Sequence, residues 1–212
     1  YLWMRLRSLP RDRWAGAFAR LARVAPRLFR TEKADRGAFL RRFYRLFEGL
    51  PVDAAERLGR ECFNHVTALR IAPEAVRRIR EHRRAGHHVV LITGALDFIV
   101  RSMEPLVDDL VAARMLARDG RYTGQLADTP PSGEARAAWL RLYAERIGAD
   151  LSRSYAYGDS LADLPFLQAV GRPVAVNPDT RLAWFASRRG WPVEDWPAMA
   201  GPPRILLPKV PA

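Results

Sequence analysis

The chain has 212 residues, 35 Lys and Arg against 23 Asp and Glu (formal net charge +12), and 49% apolar residues, too apolar for a disordered chain. Its single cysteine, Cys62, excludes a disulfide scaffold and a multi-cysteine zinc site. The longest apolar stretch, 89–100, is broken by Thr93, Gly94 and Asp97 and cannot span a bilayer. Only Lys33 and Lys209 are lysine; the arginines are spread over the whole length, most densely in 1–84, and read as solvated surface rather than as the clustered footprint of a nucleic-acid binder.

Apolar residues at spacings of three and four predict helices over 1–7, 14–29, 36–47 and 53–68, interrupted by Pro10, Pro26 and Pro51. Trp14, Phe18, Leu21 and Val24 mark one apolar face, and Phe39, Phe43, Leu46 and Phe47 another; both read as core of a helical subdomain. Pro73 opens a helix over 74–84 that Ala85-Gly86 closes. The β-branched run in 88–92 predicts a strand buried on both faces of a parallel sheet. A helix over 97–106 follows, then strands over 114–117 and 122–126 flanking the hairpin turn Asp119-Gly120. A helix over 134–147, a strand over 154–157, a helix over 161–170 and a strand over 173–176 complete the alternation. This order predicts an α/β fold: a Rossmann-like open parallel sheet with flanking helices (73–196), an N-terminal helical cap (1–72) and a Pro-rich extended tail (197–212). Trp184, Trp191 and Trp196 are expected to pack under that tail.

Ligands of open α/β sheets bind at the carboxyl ends of the strands. The first such end reads Thr93-Gly94-Ala95, where a hydroxyl and the amides of Gly94 and Ala95, at a helix start, form a seat for one phosphate oxygen. The second reads Gly158-Asp159-Ser160-Leu161-Ala162-Asp163, two carboxylates four residues apart that suit Mg²⁺. His82, His87 and His88 flank a helix–strand turn and His65 stands alone; none of these spacings is a metal-ligand pattern.

Taken together, a hydroxyl strand end, a basic residue on the intervening helix and Gly-Asp-x-x-x-Asp at the next strand end resemble the haloacid dehalogenase (HAD) superfamily. The likeness is to its phosphoserine-phosphatase-like branch with a helical cap. Residues 86–95 resemble the second motif, 119–124 the branch's hairpin, and 157–163 with Pro165 and Val176-Asn177-Pro178-Asp179 the fourth motif and its following strand. The resemblance implies phosphomonoester hydrolysis through an aspartyl-phosphate. Mg²⁺ would be held by Asp159 and oriented by Asp163, and phosphate by Thr93, Gly94, Ala95 and Arg136. Arg136 stands where the family carries a lysine, an exchange that keeps the charge and changes its shape.

The family's first motif, Asp-x-Asp on the central strand, supplies the nucleophile and the acid/base; no Asp-x-Asp occurs in these residues. The expectation is that it lies upstream of Tyr1. The central strand would then be missing with it, leaving an apolar slot in the sheet and an inactive fragment. The expected substrate is a small phosphorylated metabolite in the cytoplasm, with Arg41 of the cap in the place where phosphoserine phosphatases hold the substrate carboxylate. The aromatic cap (Trp3, Trp14, Phe18, Phe39, Phe43, Tyr44, Phe47) suits a bulkier or lipid-linked phosphate equally well. The rival expectation is a non-catalytic basic module that binds anionic lipid or nucleic acid through residues 1–47, or phosphate alone, on the same fold.

Overall fold

The structure is a computed structural model that describes residues 36–197 continuously and, before them, residues 4, 7, 10–16, 18, 19, 21–23, 25 and 26. The expected tail lies, from residue 198 onward, outside the described residues, as do Trp3 and residues 27–29.

The cap carries α1 (Arg36–Tyr44), continued by a 3₁₀ turn at Arg45–Phe47, and α2 (Val52–Cys62), which runs on through a π turn at Phe63–Thr67 and a 3₁₀ turn at Ala68–Arg70. The core follows with α3 (Pro73–Arg84), β1 (Val90–Leu96), α4 (Asp97–Val100), β2 (Asp109–Ala113), β3 (Met115–Arg118) and β4 (Arg121–Leu126). It ends with α5 (Glu134–Ile147), β5 (Tyr155–Gly158), α6 (Leu164–Gln168), β6 (Arg172–Val176), α7 (Thr180–Arg189) and β7 (Val193–Glu194). Proline at its first position opens α3, and Gly148 and Gly190 in left-handed conformation close α5 and α7. Pro105, which cannot donate to a helical ladder, sits in the 3₁₀ stretch Arg101–Leu106 that replaces the second half of the expected 97–106 helix.

The parallel strands form two sheets, β1-β2 and β5-β6-β7; among the described residues no ladder joins β1 to β5. Side chains hold the two together instead. Ile92 of β1, Leu140 of α5 and Ala156 of β5 share one apolar cluster with Leu167, Ala175, Leu182 and Ala186. On another side, Val76 of α3 is buried with Leu106 and Val107, with Val89 and Leu91 packed against them. Each fully buried aliphatic side chain of this kind is worth about 1.5–3 kcal/mol.

The cap is fused to the core rather than perched on it. Leu40, Tyr44, Phe47, Leu58 and Met4 are buried in one cluster with Leu96, Phe98, Ala113, Met115 and Tyr122. The β3–β4 hairpin turns at Asp119 and Gly120, with φ of 50° and 70°, as Asp-Gly predicts. Its second strand then pairs with the cap: Gly49 N–H donates to Tyr122 O (2.8 Å), Tyr122 N–H to Leu50 O (2.9 Å) and Val52 N–H to Gly120 O (3.0 Å).

Several expectations need correction. Phe18 is 45% exposed, so the first apolar face is not wholly core. Strand β2 was not expected, because its sequence, Asp-Leu-Val-Ala-Ala, starts on a charge and lacks β-branching apart from Val111. The helix α7 and the two-residue β7 were missed as well. Trp184, expected under the tail, lies 60% exposed on α7 beneath the guanidinium of Arg188 (4.6 Å), while Trp196 is buried against Tyr157 and Arg78.

The joint between α3 and β5 is titratable. His82 Nε2 lies 2.7 Å from Tyr157 Oη and His82 Nδ1 lies 2.8 Å from His87 Nδ1. Burial, then His87 and Arg78, hold the His82 imidazole below its ordinary value of 6.5, with Glu81 acting in the opposite sense. The folded state therefore binds a proton less readily than the unfolded chain, and stability is lost as pH falls below about 6.5. A His82→Gln variant is expected to show a flatter dependence of urea midpoint on pH between about 7.5 and 5; a slope equal to that of the parent would show that the joint does not couple.

Candidate active site

The site forms where β1 and β5 end. Strand β1 continues through Thr93, Gly94 and Ala95 to Leu96, and its register against β2 shifts between Thr93 and Leu96, so that Leu96 pairs with Ala113. The helix starts at Asp97, as expected, and the irregular ladder keeps Gly94 and Ala95 extended between it and Thr93. Gly94 and Ala95 do not sit at a helix N-terminus. The Ala95 amide, expected to be open for phosphate, donates to Thr93 Oγ1 (3.1 Å), an arrangement that leaves the Thr93 hydroxyl hydrogen for another acceptor.

Gly94 lacks a side chain for a packing reason. A Cβ there would lie 2.7 Å from Leu40 Cδ1 and 3.5 Å from Pro131 O. Tyr44, one helical turn after Leu40, donates its hydroxyl to Gly94 O (2.5 Å), and burial drives its phenol far above its ordinary value. Leu40 and Tyr44 thus roof the Thr93-Gly94 turn. The expected apolar face was Phe39, Phe43, Leu46 and Phe47; the structure buries Leu40, Tyr44 and Phe47 and leaves Phe39, Phe43 and Leu46 half-buried.

The carbonyl of Pro131 links this turn to the next component, accepting from Arg136 Nε (3.3 Å). Arg136, on the first turn of α5, pairs through Nη1 with Asp163 Oδ1, and its guanidinium lies over the Phe166 ring at 5.8 Å. Asp163 is buried, 5% exposed. Its Oδ2 accepts from the amides of Asp159 (3.1 Å) and Ser160 (3.2 Å) and from Ser160 Oγ (3.2 Å). Both oxygens of Asp163 are therefore engaged in building the loop. Gly158 permits this, since a Cβ at that position would lie 2.8 Å from Asp163 Cβ.

Asp159 stands at the open end of the loop, exposed on one side. Loss of solvation against the wall behind it, and then the neighbouring Asp163, raise its carboxyl above the ordinary carboxylate range, while Arg136 acts in the opposite sense. A second loop braces it: Asp179 N–H donates to Asp159 O (2.8 Å), and Asp179 accepts from the amides of Leu161 (2.9 Å) and Leu182 (2.8 Å). Among the described residues no group of three or more His, Cys, Asp or Glu converges. A carboxylate with strained ionisation and one open side, in a hard-oxygen loop, still fits a divalent cation such as Mg²⁺ as one protein ligand among several.

Thr93, Gly94, Arg136, Asp159 and Asp163 thus form one continuous arrangement through Pro131. Arg41 lies on α1, exposed, one position beyond the buried Leu40 that faces Gly94. Pro131 was not anticipated as part of this assembly; Gly158 and Asp179 were named within the motifs and Tyr44 within the aromatic cap, but not for the contacts they make here.

Comparison with known proteins gives the family. Residues 1–168 match the family of haloacid dehalogenase-like hydrolases. A protein of Streptomyces azureus named for inhibition of morphological differentiation is 36% identical over 180 residues, covering 79% of this chain and 65% of that protein. A phosphoserine phosphatase of Mycobacterium tuberculosis is 32% identical over 176 residues, covering 82% of this chain and 57% of its own length. A crystal structure of a Bordetella pertussis protein of unknown function superimposes with a TM-score of 0.74 at 28% identity, over 84% of this chain and 83% of that one. The chain spans between about half and two thirds of the length of such curated relatives. On the family match and on these relatives, the chain belongs to the haloacid dehalogenase-like hydrolase family.

Proposed function

We propose that these residues form the cap and the phosphate- and metal-binding side of a Mg²⁺-dependent phosphomonoester phosphatase. It acts through an aspartyl-phosphate on a small phosphorylated metabolite of the phosphoserine type. The observation that carries this reading is the Asp159–Asp163–Arg136 arrangement beside Thr93 and Gly94 at the ends of β1 and β5. Names of relatives, a phosphoserine phosphatase and a histidinol-phosphatase among them, support the substrate class.

In this reading Thr93 donates its hydroxyl, and Gly94 its amide, to phosphate oxygens. Arg136 faces the same centre with positive charge while holding Asp163, and Asp163 keeps the Asp159 carboxylate aimed outward. Mg²⁺, when bound at Asp159, neutralises charge on a phosphate oxygen. The 212 residues hold no Asp-x-Asp, so the nucleophile comes from residues outside them and these residues alone turn nothing over. The unjoined edges of β1 and β5, bracketed by α3 and α5, support this reading, since a strand that carries it would pair between them. Residues 1–72 act as cap and 73–196 as core, and Arg41 is the candidate for a substrate carboxylate. The cytosol is the proposed location, in keeping with the free, buried Cys62. No helix among the described residues is long and apolar enough to cross a membrane.

The test is phosphate release from a panel of phosphomonoesters by the product of the whole reading frame containing this sequence. Activity that disappears with EDTA and in Asp159→Asn is expected. No release from any ester would overturn the phosphatase and favour a basic module that binds anions without turnover, which salt-sensitive binding unaffected by Asp159→Asn would identify.

A further inference from the structure

The histidines at the start of β1 find no use in the proposed hydrolysis, and their sequence spacing suggested no ligand set. The fold assembles two of them nonetheless. His82 lies in the last turn of α3, and Gly86, with φ of 75°, turns the chain so that His87 comes back against it. The two Nδ1 atoms stand 2.8 Å apart.

Each ring is held from behind. His82 Nε2 is 2.7 Å from Tyr157 Oη, and its ring lies against Tyr155 at 4.9 Å. The His87 ring stacks on Tyr155 at 6.0 Å and 28°. Tyr155 is fixed in turn by Arg172, whose Nη1 donates to its hydroxyl (2.6 Å). A ligating imidazole is characteristically oriented by a hydrogen bond from its other ring nitrogen to an oxygen, the place Tyr157 takes here. The pair is reachable, because His87 is exposed.

We infer that His82 and His87 form a two-imidazole site for a square-planar transition-metal ion, Cu²⁺ or Ni²⁺, bound through both Nδ1 atoms. Nitrogen ligands at about 2.0 Å in cis positions of a square plane stand about 2.8 Å apart, whereas tetrahedral zinc spreads them to about 3.3 Å. Water completes the coordination, since no third His, Cys, Asp or Glu among the described residues joins the pair. The proton balance closes within the pair. Before binding, one Nδ1–H donates to the other Nδ1. On binding, both Nδ1 lone pairs go to the metal, His82 Nε2–H donates to Tyr157, and His87 carries its proton on the solvent-facing Nε2. The charges that face the site come from three elements: Arg78 and Glu81 of α3, Glu194 of β7, and Arg172 of β6. Of these, Arg78 is paired with Glu194 at 2.9 Å and Arg172 lies over the Tyr155 ring, and the metal binds against what remains of their positive charge.

The site is tested by titrating the untagged chain with Cu²⁺ against a chromophoric chelator near pH 7.5, with Zn²⁺ in parallel, and by recording the electron paramagnetic resonance spectrum. One Cu²⁺ per chain with superhyperfine coupling to two nitrogens is expected, held more tightly than Zn²⁺. His87→Gln, at an exposed position where folding is spared, should reduce affinity to that of the His82→Gln/His87→Gln chain. Tyr157→Phe should weaken binding by about ten-fold while both ligands remain. Equal affinity in the parent and the double variant, or a spectrum without two equivalent nitrogens, would overturn the site.

Discussion

Replacing Asp163 with alanine is expected to destabilise the core by about 3–5 kcal/mol, the range found when one partner of a buried ion pair is removed. Asp163 is buried and Arg136 is only 20% exposed at its side chain, so solvent does little to screen the pair or to rehydrate the arginine left behind. The same change releases the amides of Asp159 and Ser160 and the Ser160 hydroxyl from their common acceptor, Oδ2. The loop that aims Asp159 would then lose its form even where the domain stays folded. Urea unfolding followed by circular dichroism measures the first effect. Asp163→Asn separates the two, because an asparagine oxygen can still accept from the loop amides but cannot balance Arg136. Arg136→Met is the complementary variant: it leaves the loop acceptor in place and strips the charge partner. A loss below about 1 kcal/mol in both Asp163→Ala and Arg136→Met would show that the pair does not organise the loop.

Gly59→Ala is expected to cost about 1–3 kcal/mol, toward the upper end of what overpacking brings. A methyl group there would collide with the carbonyl oxygen of Phe98, a backbone atom that cannot swing aside as a side chain would. Gly59 is the point where α2 of the cap touches α4 of the core, so the strain falls on the join between them. Gly16→Ala is the internal control. It is also helical, but a Cβ there meets nothing within 4 Å among the described residues, so that exchange should be neutral or stabilising by up to about 1 kcal/mol. Equal effects of the two substitutions would show that the cap is not locked to the core at Gly59. Because the cap shares one buried cluster with Leu96 and Phe98, the loss should appear in the single unfolding transition of the domain rather than in a separate step.

Much of this protein was legible before any fold was known. The helices at 36–44, 52–62, 73–84 and 134–147, the hairpin at Asp119-Gly120 and the strands around 90–93, 155–158 and 172–176 follow from periodicity and turn chemistry. Those signals are local: apolar spacing, a proline at a helix start and a glycine at φ > 0 act within a few residues of where they are written. Thr93, Arg136, Asp159 and Asp163 were equally legible as residue types at strand ends and on the intervening helix, because their order along the chain is written in the sequence.

What the chain alone left open depends on contacts between distant segments. The choice of Ala95 N–H to satisfy Thr93 rather than a ligand arises from the register shift of β1 against β2, a pairing of segments whose own sequences do not state it. The engagement of both Asp163 oxygens depends on α5 delivering Arg136 across 27 residues. Tyr44 reaches Gly94 across 50 residues, and its hydroxyl is a donor on any helix until that carbonyl is brought beneath it. His82 and His87 had the same standing: five residues apart, without a ligand pattern, until a left-handed glycine and two tyrosines from β5 turned their nitrogens toward each other. The sequence by itself determined which elements form and which residue types bear charge and hydroxyl groups. Only the tertiary structure decided which of those groups remain open for a ligand, because a hydrogen-bonding atom is spent or available according to what long-range packing sets against it.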